Sequence, residues 1–176
     1  MDDHHRAFEH HRAFEGGPTF VIGFATLAAF FSSLGVYYLA NPRGAIAALS
    51  ATNQHLGGVP IVVVDVVAWR YTAAVGMCTL GVMCLLVLVD LRRNSTMLIP
   101  AVFFKGFDVV LLVRYSALHP RVPACLEFAF MDLVLIAAMV GLAVPARRRL
   151  MASDGSIDTS SGDDGLTDHP GKRAMV

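Results

Sequence analysis

The sequence predicts an all-α polytopic membrane protein, a four-helix transmembrane bundle with a long loop between spans one and two. Three observations predict this fold class. Apolar residues make up 55% of the 176 residues and charged residues only 16%, which differs strongly from the composition of a soluble domain. Four apolar runs each approach the length of about twenty residues that a helix needs to cross a bilayer. Charged and turn-forming residues separate these runs, so each run is interpreted as one span.

The first span, residues 19–40, carries no charged residue and ends close to Tyr37 and Tyr38. Tyrosine is frequent at the level of the membrane–water interface, so this pair marks one end of the span. The run is too long for a cleaved signal peptide, and we expect it to be retained. The remaining spans, each closed by charged residues on at least one side, are residues 71–89, 97–113 and 128–146. Residues 19–147 form the predicted transmembrane domain.

Both ends of the chain are predicted to be disordered tails, residues 1–18 and residues 148–176. The first tail contains a direct repeat, HHRAFE-HHRAFE, over residues 4–15. Its four histidines could bind a metal ion, but a tolerated duplication in a tail is the favoured interpretation. The second tail is rich in Ser, Asp and Gly and has no apolar periodicity, which is typical of disorder.

The connection between spans one and two, residues 41–69, is the longest in the chain. Its AIAALSA stretch could form a short interfacial helix. The VPIVVVDVVAW stretch, residues 59–69, is rich in β-branched residues and too short to span. We expect an extended or re-entrant strap there, or a lid, that lies against protein or at the interface, because irregular backbone in contact with lipid would leave polar groups unpaired.

The distribution of arginines predicts that both termini lie in the cytosol, because cytoplasmic segments of membrane proteins carry an excess of basic residues. Seven arginines flank the spans on the side of the termini and four flank them on the other side. The protein is thus expected to be an integral multi-pass protein, of the endoplasmic reticulum or another endomembrane if the source is eukaryotic. The arginines on the side of the termini are Arg6, Arg12, Arg92, Arg93, Arg147, Arg148 and Arg149, and those on the other side are Arg43, Arg70, Arg114 and Arg121.

Several classes of function do not fit the composition. The formal net charge is zero and no basic face with interleaved aromatic residues is present, which excludes nucleic acid as a partner. The three cysteines include no CxxC pair, and the seven histidines lie in predicted tails or loops. A redox-active cysteine pair and a haem site between helices are therefore not expected.

The most informative stretch is FFKGFDVVLLVRY, residues 103–115, in which Lys105 and Asp108 interrupt an apolar span. Ionisable residues in hydrocarbon are costly and usually mark a site inside the bundle. Span three runs toward the outer side and span four runs away from it, so at 1.5 Å per residue Asp108 and Asp132 both lie roughly 7 Å from the outer end of the bundle. We therefore expect the two acids to share one pocket.

Two interpretations of these charges stay open. Lys105 and Asp108 are three residues apart and could neutralise each other as a purely structural pair. Alternatively, Asp108 donates a proton to a substrate while Asp132 or Glu127 accepts one. Because Glu127 and Asp132 are five residues apart, they point about 140° from each other on a helix, and at most one of them should face the pocket. The residues expected to contact a substrate are Arg70, Lys105, Phe104, Phe107 and Tyr115.

Four stretches resemble small four-span membrane proteins of the DoxX-like group and relatives of unassigned function in fungi. These stretches are NPRGAIAAL, WRYTAAVGMCTLGVM, RRN and FKGFDVVLLVRY, and the resemblance covers residues 19–145. It implies a four-helix bundle, with Arg70 matching an arginine at the start of span two and Asp108 matching an aspartate in span three. Such proteins are linked to redox accessory roles and to fungal specialised metabolism, so the resemblance implies a role of that kind.

From these observations we expect a small membrane protein that acts on a lipophilic biosynthetic intermediate of specialised metabolism by acid/base chemistry. Epoxide opening, cyclisation and isomerisation are the candidate reactions, and none requires a metal or an organic cofactor. The expected partners are the lipophilic substrate, membrane lipid and other membrane-bound enzymes of a pathway. The alternative is a non-catalytic accessory or scaffold subunit of a membrane enzyme complex.

Overall fold

The computed structural model describes residues 16–160, with side chains for residues 16–152. Within this range the chain is entirely helical apart from short connections, which confirms the all-α prediction. The histidine repeat and residues 161–176 lie outside the described residues, so the predictions about them stay predictions. The helices are α1 (Pro18–Ala40), α2 (Pro42–His55), α3 (Val66–Val89), α4 (Leu91–Asn94), α5 (Leu98–Leu118) and α6 (Ala124–Ser160), with a 3-10 turn at Ser95–Met97.

Four helices, α1, α3, α5 and α6, are long and apolar enough to cross a membrane, as the sequence predicts. The chain is therefore compatible with a multi-pass membrane protein. Helix α3 begins at Val66, so the end of the predicted strap belongs to the second span. Asp65 explains this start, because its side chain accepts hydrogen bonds from the backbone N–H groups of Val67 and Ala68. Helix α6 continues through Pro145 to Ser160 and so extends into the tail that is predicted to begin at residue 148.

The four spans form two closely packed pairs, α1 with α3 and α5 with α6, which contact each other much less. Small residues bring α1 and α3 together. A Cβ atom placed on Gly35 would lie 2.6 Å from Sγ of Cys78 and 3.1 Å from the carbonyl oxygen of Ala74. Only a glycine therefore allows this close approach, as is common between membrane helices.

The apolar core occupies the half of the bundle where α1 begins and α3 ends. It combines the first part of α1 with the last part of α3 and the middle of α6, and it is closed by α4. In this half, large side chains from three spans pack against one another and fix the relative positions of these helices. Fully buried members of the core include Phe24, Phe31, Leu80, Val87 and Met139.

The connection between spans one and two differs from the predicted long loop. Only Asn41 separates α1 from α2, and the irregular part of the connection is limited to residues 56–65. Asn41 begins α2 as its N-cap, since its side chain accepts a hydrogen bond from the backbone N–H of Gly44, and Pro42 occupies the first turn. Asn-Pro is thus the start of a helix here and not a turn leading into a loop.

The irregular strap lies against the protein at the end of the bundle covered by α2. The backbone N–H of Ile61 donates to Oγ of Ser50, and that of Val59 donates to the carbonyl oxygen of Arg121. Asn53, fully buried, donates to the carbonyl oxygens of Val59 and Arg121 and accepts from the backbone N–H of Ala124. This one amide joins α2, the strap and the start of α6, so the strap is packed on the bundle mouth as one of the predicted alternatives requires.

Candidate functional site

A cavity of about 780 Å³ lies between the two helix pairs, in the half of the bundle opposite the apolar core. All four spans contribute to its wall, α2 contributes Leu49 at one end, and the cavity is open to the protein surface. It exists because the α1–α3 and α5–α6 pairs contact each other little in this half. Its lining residues are Phe30, Phe31, Leu34, Tyr38, Leu49, Trp69, Ala73, Met77, Lys105, Asp108, Leu111, Leu112, Tyr115, Phe128, Met131, Asp132 and Leu135.

Three charged side chains meet in the wall of this cavity. Nζ of Lys105 lies 2.9 Å from Oδ1 of Asp132 and 3.3 Å from Oδ2 of Asp108. Lys105 is 3% exposed, whereas the side chains of Asp132 and Asp108 are 12% and 34% exposed. The lysine is thus enclosed between two carboxylates, and Asp108 is the more accessible of the two.

The cluster has two consequences that follow from its charges. It links α5 to α6, because Lys105 and Asp108 belong to the first helix and Asp132 to the second.

When all three groups are ionised, one cation faces two anions, and the cluster carries an excess negative charge. A positively charged group on a ligand would be attracted to that excess.

Aromatic rings surround the part of the cavity nearest to α2. The rings of Tyr38 and Trp69 lie 5.3 Å apart, centroid to centroid, and connect α1 to the first turn of α3. Tyr115 on α5 also lines the cavity, and its ring lies 4.4 Å from that of His119. Aromatic faces attract positive charge and provide a large apolar surface, so they suit a lipophilic ligand that carries or develops a cation.

The structure brings together some of the residues that the sequence singles out. Asp108, Asp132, Lys105 and Tyr115 all line the cavity, and the predicted contact between Lys105 and Asp108 is confirmed. The contact of the same lysine with Asp132 is the closer one and was not predicted, because spacing along one helix says nothing about the neighbouring helix.

The four other predicted site residues do not line this cavity. Glu127 is exposed and does not line the cavity, so Asp132 is the carboxylate of α6 that faces the site. This agrees with the expectation that at most one of these two acids faces the pocket. Phe107 is 54% exposed and stacks on Phe103, with the ring centroids 6.4 Å apart. Phe104 faces Gly76 of α3 from outside the cavity. Arg70 lines a different cavity, near the start of α2.

Helical geometry explains why the phenylalanines fall elsewhere. Positions three apart share a face, so Lys105 and Asp108 point together, whereas Phe104 and Phe107 are each turned by about 100° from the charged residue that follows. The apolar part of the site instead comes from Phe31, Met77 and Phe128 on other spans. No spacing rule in the sequence distinguishes these residues from core or lipid-facing ones.

Among the side chains of residues 16–152, no group of three His, Cys, Asp or Glu residues could hold a metal ion. No family model matches this chain, and no curated protein or solved structure matches it either. The resemblance to DoxX-like proteins and the absence of a cofactor from the chemistry therefore stay predictions, and the cavity itself is what indicates a function.

Proposed function

We propose that this protein is a membrane enzyme that isomerises, cyclises or opens an epoxide in a lipophilic biosynthetic intermediate by proton transfer. One observation supports it above all others: two carboxylates from different helices share Lys105 in the wall of an open, mostly apolar cavity. The cavity volume of about 780 Å³ lies within the range of pockets that bind small organic ligands.

Asp108 is the proposed general acid because it is the more exposed carboxylate and lies farther from the lysine. It donates a proton to the epoxide oxygen or the double bond of the substrate, which develops a positive charge on carbon. Asp132, whose Oδ1 lies 2.9 Å from Nζ of Lys105, accepts a proton from a neighbouring carbon. The product of an isomerisation then has the same number of protons as the substrate.

Lys105 completes the cycle because it contacts both acids. After turnover Asp108 has lost a proton and Asp132 has gained one. The ammonium group of Lys105 can donate a proton to Asp108 and recover one from Asp132, which restores the starting state, and these acidic protons exchange with water because the cavity is open to the surface. The rings of Tyr38, Trp69 and Tyr115 would stabilise the positive charge that develops on the substrate.

The test uses the purified full chain in liposomes, with a panel of lipophilic epoxides and isoprenoid alkenes and no added cofactor. We expect conversion of at least one member, and in D2O the product of an alkene isomerisation should carry deuterium at the protonated carbon. Asp108→Asn and Asp132→Asn should each lower the rate by about 10² to 10⁴, the usual contribution of general acid or base catalysis. Glu127→Gln should convert at the normal rate, because Glu127 does not line the cavity.

A second candidate function is a non-catalytic accessory or scaffold subunit of a membrane enzyme complex. The observation that favours it is the ion-pair link between α5 and α6, which could serve only to fix these helices. In that case Asp108→Asn should leave pathway output unchanged in cells, and no substrate should be converted by the chain alone. We further propose an endomembrane location with both termini in the cytosol, on the basis of the arginine distribution.

A further inference from the structure

Arg70, which does not line the cavity of the charged cluster, contributes to a second cavity of about 420 Å³ beside it. This second cavity is formed where α1 ends, α2 begins and α3 begins. Its lining contains two cations, Arg43 on α2 and Arg70 on α3, and no carboxylate. The full lining is Ala40, Asn41, Pro42, Arg43, Val66, Val67 and Arg70.

The two arginines lack the partners that such groups usually have in proteins. Among the described residues neither forms an ion pair, and the guanidinium of Arg70 only lies over the ring of Tyr71 at 5.3 Å. Nε of Arg70 is buried and has no hydrogen-bond partner within the part of the chain that the structure describes. A buried N–H group without a partner is rare, and a water molecule or an ion that completes it is one explanation.

Asp65, the residue before α3, does not line this cavity, and its side chain caps that helix. Its Oδ1 atom accepts hydrogen bonds from the backbone N–H groups of Val67 and Ala68, at 3.0 and 2.9 Å. Among the described residues it forms no ion pair with either arginine. The cavity keeps two positive charges that converge on one space.

The position of this cavity in the bundle indicates the class of anion. The last turn of α1 and the first turn of α3 meet here, and they carry Tyr38 and Trp69. Both residue types are frequent at the membrane–water interface. Lipid phosphates lie at that depth. A guanidinium group binds phosphate oxygens through paired N–H donors, which two arginines on different helices can supply together.

We propose that Arg43 and Arg70 form a binding site for the phosphate of an anionic membrane lipid. The site is separate from the charged cluster, and the proposal does not depend on the proposed chemistry. A bound phosphate would connect α2 to α3 and would stabilise the end of the bundle where the larger cavity lies.

Native mass spectrometry of the purified full chain tests this site, with dioleoylphosphatidic acid and dioleoylphosphatidylcholine as probes in separate titrations. We expect phosphatidic acid to bind at least about tenfold more tightly than phosphatidylcholine. Arg43→Gln should weaken binding of phosphatidic acid about tenfold, and the double variant with Arg70→Gln more than that, as expected for charge-assisted hydrogen bonds. Arg70→Lys should lose part of the affinity because it keeps the charge but not the paired donors.

The matched control is Arg114→Gln, an exposed arginine near the same end of the bundle that does not line the second cavity. It should bind phosphatidic acid like the unchanged protein. Equal affinity of the unchanged protein and the double variant would overturn the proposal. So would displacement of phosphatidic acid by an equal concentration of glycerol 3-phosphate, since that result would identify a soluble phosphate as the ligand. Arg43 is exposed, so a loss of binding in Arg43→Gln cannot be attributed to a failure to fold.

Discussion

Replacing Lys105 with methionine tests how much of the bundle depends on the charged cluster. Methionine keeps an unbranched chain of similar length and removes the charge together with the N–H donors of the ammonium group. Lys105 is 3% exposed and Asp132 is 12% exposed at its side chain, so the variant leaves a largely buried carboxylate without its cation. Removing one partner of a buried ion pair typically costs about 3 to 5 kcal/mol, and we expect a loss of stability of that size.

Asp108→Asn should have a much smaller effect on stability. Lys105 keeps its contact with Asp132 at 2.9 Å, and the side chain of Asp108 is 34% exposed. The pair that is lost is therefore partly solvated, and its contribution should be about 1 kcal/mol or less. If Lys105 had Asp108 as its only partner, the loss would instead approach that of the lysine variant.

The assay is reversible unfolding of the purified protein in mixed micelles, followed by circular dichroism as a denaturing detergent is added. The two single variants should differ by roughly 2 to 5 kcal/mol in the free energy of unfolding. Equal stabilities for Lys105→Met and the unchanged protein would refute the reasoning. A large loss for Asp108→Asn would show that the contact with Asp132 does not hold the lysine.

A triple variant, Lys105→Met with Asp108→Asn and Asp132→Asn, distinguishes the two candidate functions. It contains no charge in the cluster, and neutral replacement of a buried ionic group is often without cost in stability. A scaffold should regain both its stability and the output of its pathway. An enzyme should regain stability and remain inactive, because no group is left to donate or accept the proton.

Three further predictions concern the fold. Gly35→Ala should destabilise the bundle by about 1 to 3 kcal/mol, because its Cβ would collide with Cys78; the same unfolding assay should find the control Gly106→Ala neutral or stabilising, since a Cβ there meets nothing within 4 Å. Asn53→Ala should cost about 1 to 3 kcal/mol through buried backbone groups left unpaired, seen as a lower midpoint of thermal unfolding. Asn94, in the sequon Asn-Ser-Thr, should remain unglycosylated in microsomes, and a glycan there would reverse the proposed orientation.

Much of the architecture follows from the sequence because helix length and apolar composition act locally. The bilayer thickness fixes the number of residues in a span, so four runs are enough to predict α1, α3, α5 and α6. The start of α3 at Val66 was less predictable, because VPIVVVDVVAW has the β-branched composition of an extended segment. The cap made by Asp65 and the continuation of the apolar run outweigh that preference.

The site was predictable only in part, for a physical reason. Charges inside a span are costly, which singles out Lys105, Asp108 and Asp132 without any knowledge of the fold. The direction of each span then places both acids at one end. Which helix faces which is decided by packing between spans, and the sequence offers no short-range signal for it. Trp69 and Phe128 were for that reason not predicted as part of the wall, and Phe104 and Phe107, which were predicted to contact a substrate, do not line this cavity.

The arrangement of the cluster itself argues against a purely structural role. A buried ion pair seldom stabilises a protein more than apolar residues of the same volume. Between α5 and α6 such residues would join the helices equally well, and the core shows that this chain packs spans in that way. Here the charged groups lie instead in the wall of the cavity, and the second carboxylate, Asp108, is partly exposed although Asp132 already pairs with the lysine. The additional acid is explained when a substrate in the cavity must receive a proton.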